Sequence, residues 1–389
     1  MFTSYTKASL KLFFGPSDQA GMFTNYNGDK LSADKAFDLL KNISSNMGDH
    51  VQRFEIPKRK EGKVRVLYAP SGQLKFLHKN LNEYVFSRYR PTDYAHGFVR
   101  KRSVLTNALE HTGSRSMCHM DIKNFFDNIT KNHVQNVLFG SYFMCAGCKC
   151  VGKMKSRLCS PSIYRNLDGQ FPELCEELKW FSGQQDEGYE SLVDMISSIT
   201  TYEGFTPQGF ATSPFIANIV LRKFDLLVGR RMADRGIKYT RYADDLTFTH
   251  AEKGTSAIYR QVHSYVPSIL GLFGFKINQS KTYYLSNKGR MAVCNVVINK
   301  IPNLKRETQS LIRAKVHHAT VKKASTTTRA DLHVLKGQLA YFYMLNPKKA
   351  KQYMEQIKAF EAQQHLQCDM FEPADPDPGP NPNLEAVPC

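Results

Sequence analysis

The sequence predicts an α+β fold, on three observations: two stretches alternate apolar and polar residues about a turn, one short apolar run suits a buried strand, and several segments carry apolar residues at helical spacing. In chain order, residues 33–53 read as a helix, and Phe54 to Ala69 alternates around Gly62 like a hairpin. A helix follows from Gln73 to Ser87, with Leu74, Leu77, Leu81 and Val85 on one face. The Gly-punctuated loop HGFVRKRS then leads into a helix through Asn107 and His111, and Met117 to Ile122 reads as a buried strand. After a cysteine-rich stretch, Leu192, Met195, Ile196 and Ile199 have helical spacing. The loop TPQGFATSP opens a longer helix whose apolar stripe is Ile216, Ile219, Val220 and Phe224. Ile237 to Thr249, IKYTRYADDLTFT, alternates on both sides of an Asp pair, as two strands joined by a tight turn do. Beyond Asn299 the chain reads as helical and basic.

Among the 389 residues, Lys and Arg exceed Asp and Glu by 18. Such an excess favours a polyanionic partner, because each neutralised phosphate releases condensed counterions. The N-terminal MFTSYTKASLKLFF breaks its apolar runs at Lys7 and Lys11 and has no signal-peptide core, and no other stretch is long and apolar enough to span a bilayer. A cytoplasmic protein with no membrane partner and with nucleic acid as its ligand is therefore expected. Between Lys300 and Lys358 there are thirteen Lys or Arg against three acids. The last two dozen residues, with six prolines, five acids and no Lys or Arg, predict a disordered acidic tail.

Acidic residues supply the most specific chemistry. Transfer of a nucleotide to a 3′ hydroxyl builds negative charge on both the attacking and the leaving oxygen, and two Mg²⁺ ions about 4 Å apart serve both. Hard cations of this kind take carboxylate ligands from rigid neighbouring strands. Asp121 ends the apolar strand, and Asp244 with Asp245 lies at the hairpin tip. Taken alone, an Asp pair at a turn is as readily structural, since Asp favours turns.

Tyr242-Ala243-Asp244-Asp245 resembles the YxDD box of reverse transcriptases, and further features stand in that family's order. Asp121 in MDIKNFF resembles the first catalytic acid, and Phe126 falls where the family has the aromatic gate that excludes a ribose 2′ hydroxyl. Gln208-Gly209 is similar to the box that contacts the incoming nucleotide, Lys281 to the lysine behind the palm, and Lys63 with Arg65 to the triphosphate-binding residues of the fingers. Asn107-Ala108-Leu109-Glu110-His111 matches the NAxxH pattern of retron reverse transcriptases. RAKVHHAT and LKGQLAYFYMLNPKKA resemble the retron thumb, although Val293-Cys294-Asn295 stands where retrons have Val-Thr-Gly.

This resemblance implies a right-hand polymerase of fingers, palm and thumb, with an antiparallel palm sheet and a helical thumb. The expected division is an N-terminal segment and fingers at 1–105, palm at 106–140, a Cys-rich insertion at 141–185, fingers and palm at 186–298, a basic helical thumb at 299–365 and the tail at 366–389. It implies catalysis by Asp121, Asp244 and Asp245, with Ile122 beside them in the Mg²⁺ site. A deoxynucleoside triphosphate would be held by Lys63, Arg65, Phe126, Gln208, Gly209 and Lys281. Asn107, His111, Lys305, Arg306, Arg313 and Lys315 are the candidate RNA contacts. The implied function is RNA-directed synthesis of single-stranded DNA on a cognate structured non-coding RNA, in an anti-phage system with a separate effector protein. The alternatives are a defence-associated relative with protein-primed or template-independent synthesis, or a non-catalytic protein that binds RNA or sequesters an effector.

Cys145-x-x-Cys148-x-Cys150 with Cys159 has the soft thiolates of a tetrahedral Zn²⁺ site, a reduced-thiol loop being the alternative.

Overall fold

A computed structural model describes residues 31, 33–57, 64–138, 187–322 and 327–363. Helix α1 (Ala33–Ser45) precedes the antiparallel hairpin of β1 (Val51–Pro57) and β2 (Val64–Pro70), paired from Val51 opposite Pro70 to Pro57 opposite Val64. The helix expected over 33–53 thus ends eight residues early. Asn46 and Gly48 are weak helix formers, and one 3₁₀ turn at Met47–His50 feeds the strand, where the Ser71 N–H donates to the His50 carbonyl. Helix α2 (Gly72–Tyr84) buries Leu74, Leu77 and Leu81 as its spacing predicts.

Helix α3 (Val104–His111) starts at a capping box in which Ser103 and Thr106 each bond the other's backbone N–H. Strand β3 (Ser116–Asp121) and helices α4 (Lys131–Leu138) and α5 (Glu187–Thr200) follow. The single long helix expected after TPQGFATSP is two, α6 (Ser213–Val220) and α7 (Arg222–Ala233). Ile216, Ile219, Val220 and Phe224 are all buried, so the stripe is real; the break is the one backbone of Leu221, at φ −88° and ψ 1°, which periodicity does not register.

Strands β4 (Ile237–Tyr242) and β5 (Asp245–His250) are joined through Ala243 and Asp244. Helices α8 (Thr255–Val262) and α9 (Tyr265–Leu272) lead to β6 (Tyr283–Ser286), and the sheet order is β4-β5-β3-β6. A short pair, β7 (Ala292–Val293) and β8 (Val296–Val297), precedes α10 (Arg306–His317), α11 (Arg329–Leu345) and α12 (Pro347–Gln363). No helix among the described residues is long and apolar enough to cross a membrane.

By contacts the chain divides into two units, one of 1–101, 118–248 and 255–284, the other of 102–117, 249–254 and 285–389. Residues 106–117, expected in the palm, therefore group with the C-terminal segment. Each unit has its own core. The first is centred on residues such as Leu77, Ile196, Phe224 and Phe248; the second is built from Ala108, Met117, Val293 and the apolar faces of α10 to α12. In the second unit Cys294 (φ 46°) and Asn295 (φ 65°) form the two-residue turn between β7 and β8. Positive φ at both positions is the type I′ pattern, which suits Asn and disfavours Cys. The Asn107 amide lies 3.5 Å from the Cys294 sulfur, so the NAxxH segment packs on the turn where the sequence departs from Val-Thr-Gly.

One buried histidine makes the first unit sensitive to acid. His78 on α2 has its Nε2 2.7 Å from the Ile199 carbonyl, and its ring lies tilted against that of Phe210, the centroids 4.6 Å apart. Burial pushes its pKa down to about 4. The unfolded chain takes up this proton near pH 6.5 and the folded one does not, so stability is lost as pH falls from there toward 4, by about 3 kcal/mol in all. Denaturant titrations across that window are expected to show a flatter pH dependence for His78→Phe; an identical slope would refute the assignment.

Candidate active site

The carboxylates are positioned by backbone before side chains. Asp121 ends β3 with 3% of its surface exposed, and the next residue, Ile122, donates its N–H to the Asp244 carbonyl at 2.9 Å. That bond, beside the pairing of β3 with β5 in the sheet, ties the strand bearing one acid to the hairpin tip bearing the other two. Ala243 adopts φ 55°, a left-handed conformation rarely used by residues with a Cβ, and so turns β4 into β5 within two residues. On the other side of Asp121, Asn278 donates its backbone N–H to the Asp121 carbonyl (2.7 Å) and its side-chain amide to Oδ1 (3.1 Å). The Lys281 ammonium donates to Asp121 Oδ2 at 2.7 Å. His119, two residues earlier on β3, places Nε2 3.4 Å from Asp245 Oδ1 and stacks on Tyr283 at 4.8 Å.

This crowding is visible in the titration of the acids. Partial burial, then the charges of Asp245 and Asp121, push the Asp244 carboxyl up to about 6. Burial and the Asp121 charge push Asp245 to about 6 as well, although its side chain keeps 37% of its surface exposed. Lys281, against its partial burial, is held above its usual value by the hydrogen bond and charge of Asp121 and by the charges of Asp244 and Asp245. Like charges held together in this way are relieved by a cation.

Among the described residues, no three His, Cys, Asp or Glu side chains close around one point as a preformed cage. Mg²⁺ does not require one, since it is commonly held by one or two carboxylates together with water and substrate phosphates. Hard carboxylate oxygens crowded together in this way fit such an ion. Cys145, Cys148, Cys150 and Cys159, the candidate Zn²⁺ ligands, lie outside the described residues.

Of the residues expected around the nucleotide, Lys63 also lies outside them, and Arg65 is an exposed residue of β2. Gln208 and Gly209 are seated on that same strand: the Tyr68 N–H donates to the Gln208 carbonyl at 2.9 Å. Gly209 has φ 113°, and a Cβ there would collide with the Tyr68 carbonyl. Gly209→Ala is therefore expected to lose about 1–3 kcal/mol of stability from backbone strain alone. Chemical denaturation measures it, and a variant as stable as the parent would show that the loop is not pinned to β2. Phe126 is half-buried, its ring 5.2 Å from that of Phe125 and 6.4 Å from that of the exposed Phe98.

The candidate RNA contacts divide. Asn107 and His111 are 1% and 0% exposed, and His111 Nδ1 bonds Thr249 Oγ1 at 2.8 Å. Their expected role as RNA contacts is corrected: they are polar groups satisfied inside the second unit's core and offer no surface to a ligand. Arg306 and Arg313 are exposed on α10, Lys305 is half-buried at its start, and Lys315 is exposed with its ammonium 3.2 Å from Gln338 Oε1.

Sequence reasoning missed Asn278, Arg241, Asp225 and Asn218. Asn278 closes the GFKIN segment preceding Lys281. Arg241, next to the YADD box, is fully buried against Asp225. An arginine flanking the acids on a mostly buried strand was the available signal, but its partner lies sixteen positions upstream, on helix α7.

The chain matches the family described as reverse transcriptase (RNA-dependent DNA polymerase) over residues 173–359. A retron reverse transcriptase of Myxococcus xanthus is 29% identical over 79% of this chain, which covers 64% of that protein's length. One of Escherichia coli is 25% identical over 78% of this chain and 79% of its own. A Candida albicans telomerase structure aligns over 87% of this chain and 60% of its own at TM-score 0.42 and 11% identity. The described residues form an α+β fold, and the stretch 173–359 carries the reverse-transcriptase match. The relatives that this chain resembles over most of its length are retron reverse transcriptases. Asp121 precedes the matched stretch and joins it through the Ile122 and Asn278 contacts described above.

Proposed function

We propose that this protein is an RNA-directed DNA polymerase that copies part of a cognate structured RNA into single-stranded DNA. The observation that carries this reading is the bonding of β3 to the YADD tip, which assembles three mutually repelling carboxylates beside Lys281. Asp121, Asp244 and Asp245, with the backbone of Ile122 beside them, would hold two Mg²⁺ ions. Bound there, the ions supply charge stabilisation at the attacking and leaving oxygens. Lys281 orients the Asp121 carboxylate, and its ammonium stands beside the acids to meet triphosphate charge. Gln208 and Gly209, fixed to β2, would meet the incoming nucleotide together with Arg65, Lys63 is assigned to the same triphosphate by its resemblance alone, and Phe126 would supply the bulk that rejects a 2′ hydroxyl. Lys305, Arg306, Arg313 and Lys315 on α10 serve as backbone contacts for the RNA and its DNA copy, in a C-terminal thumb. The setting is cytoplasmic, with a separate effector protein in an anti-phage system.

The test is to purify the protein from its native operon, treat the bound nucleic acid with RNase or DNase, and sequence what survives. A discrete single-stranded DNA colinear with an RNA of the locus is expected. DNA without a template in the locus would overturn the RNA-directed reading, and bound RNA with no DNA would overturn synthesis itself.

A further inference from the structure

The largest fully buried side chain in the first unit belongs to Arg241, immediately before the YADD box and outside the machinery described so far. Its guanidinium makes a forked pair with Asp225, Nε to Oδ1 at 2.9 Å and Nη2 to Oδ2 at 2.7 Å. Both side chains are 0% exposed. Asp225 also accepts from the Tyr239 hydroxyl at 2.8 Å and from Thr92 Oγ1 at 3.3 Å. The remaining nitrogen, Nη1, bridges Asn218 Oδ1 and the Ala243 carbonyl, each at 3.1 Å. The Asn218 amide in turn donates to the Gly97 carbonyl at 2.9 Å. Gly97 lies so close to the tip that a Cβ there would strike the Ala243 backbone nitrogen.

The Ala243 carbonyl belongs to the peptide that leads into Asp244, and Ala243 itself holds the left-handed φ of 55°. A bond to that oxygen from a guanidinium already anchored on α6 and α7 fixes the orientation of the peptide. A buried ion pair serving stability alone requires no such contact, and a hydrophobic replacement often stabilises as well.

We infer that Arg241, oriented by Asp225 and Asn218, is a positioning residue that holds the Ala243 peptide in its left-handed turn and so sets where Asp244 and Asp245 present their carboxylates. The inference rests on the polymerase reading above. Lysine keeps the charge beside Asp225 but lacks the planar fork that reaches the Ala243 carbonyl at the same time.

The test uses the protein purified with its native RNA. Arg241→Lys is expected to lower kcat and raise the half-saturating Mg²⁺ concentration, each by about 10–100-fold, with RNA binding intact. Adding Ala243→Gly, which adopts the left-handed turn without help, is expected to recover most of the loss. Asn218→Ala leaves the ion pair in place and is expected to shift Mg²⁺ dependence in the same direction, which keeps the test decisive if Arg241→Lys does not fold. Variants that lose melting temperature but keep the parental Mg²⁺ dependence, or a double variant that recovers nothing, would overturn the inference. The parent and Asp244→Asn run in parallel separate this from failure of the polymerase reading: if the parent itself makes no DNA, it is that reading which falls.

Discussion

Asp244→Asn leaves a folded protein that retains its RNA and makes essentially no DNA. The substitution keeps the shape of the side chain and removes one of three carboxylates crowded at the β3 and hairpin junction, while the backbone bond from Ile122 to the Asp244 carbonyl remains available. Loss of one charge from the site proposed to hold two divalent cations is expected to slow synthesis by roughly a thousandfold or more, about 4 kcal/mol of transition-state stabilisation. Stability moves the other way. With the Asp244 carboxyl pushed up to about 6, its ionised form is disfavoured by the fold at neutral pH. Metal-free Asp244→Asn therefore melts no lower than the parent, and the opposition of stability and activity marks a functional site. Primer extension on the native RNA and a melting curve decide together. Undiminished synthesis would remove Asp244 from the mechanism, and lost synthesis with a collapsed melting temperature would mean only unfolding.

Asp225→Ala is expected to cost a large share of the protein's stability. It strips both forked hydrogen bonds from a guanidinium that has no access to water, and leaves the Tyr239 hydroxyl without its bond to Oδ1. Breaking a buried pair from one side costs about 3–5 kcal/mol, because the remaining charge is left uncompensated. That is a large fraction of the stability of an ordinary domain. Equilibrium denaturation of the purified variant reads the effect. A change under about 1 kcal/mol would show that water or another acid reaches Arg241, since only an exposed pair is worth so little.

Much of the site was legible because its chemistry is local. The two-residue tip of the hairpin and the end of the β3 strand are each written in a few adjacent residues, whereas the seating of Gln208-Gly209 on β2 depends on Tyr68 far along the chain. The apolar stripes of α2 and of the α6 and α7 pair were equally plain, and every residue assigned to them is buried. The errors fell where one residue's backbone or a distant partner decides. Helix α1 gives way to the hairpin because His50 and Val51 pair with the segment around Ser71 and Pro70, and the stripe after TPQGFATSP is cut at Leu221 by a single ψ near zero.

Asn107 and His111 show the limit from the other side. Their spacing identified a real feature, but whether a polar pair on a helix faces ligand or core depends on what packs against it; here Thr249 and Cys294, more than a hundred residues away, receive them. The amino-acid sequence by itself determined the α+β class and the basic C-terminal helices, since periodicity, turn chemistry and charge density are properties of short segments, and it marked the three acids through their resemblance to a family's motifs. Only the tertiary structure decided which residues hold those acids in place, because Arg241, Asp225 and Asn218 become a unit only where two helices and a strand enclose them without water, and there a charge must find its partner whatever the distance along the chain.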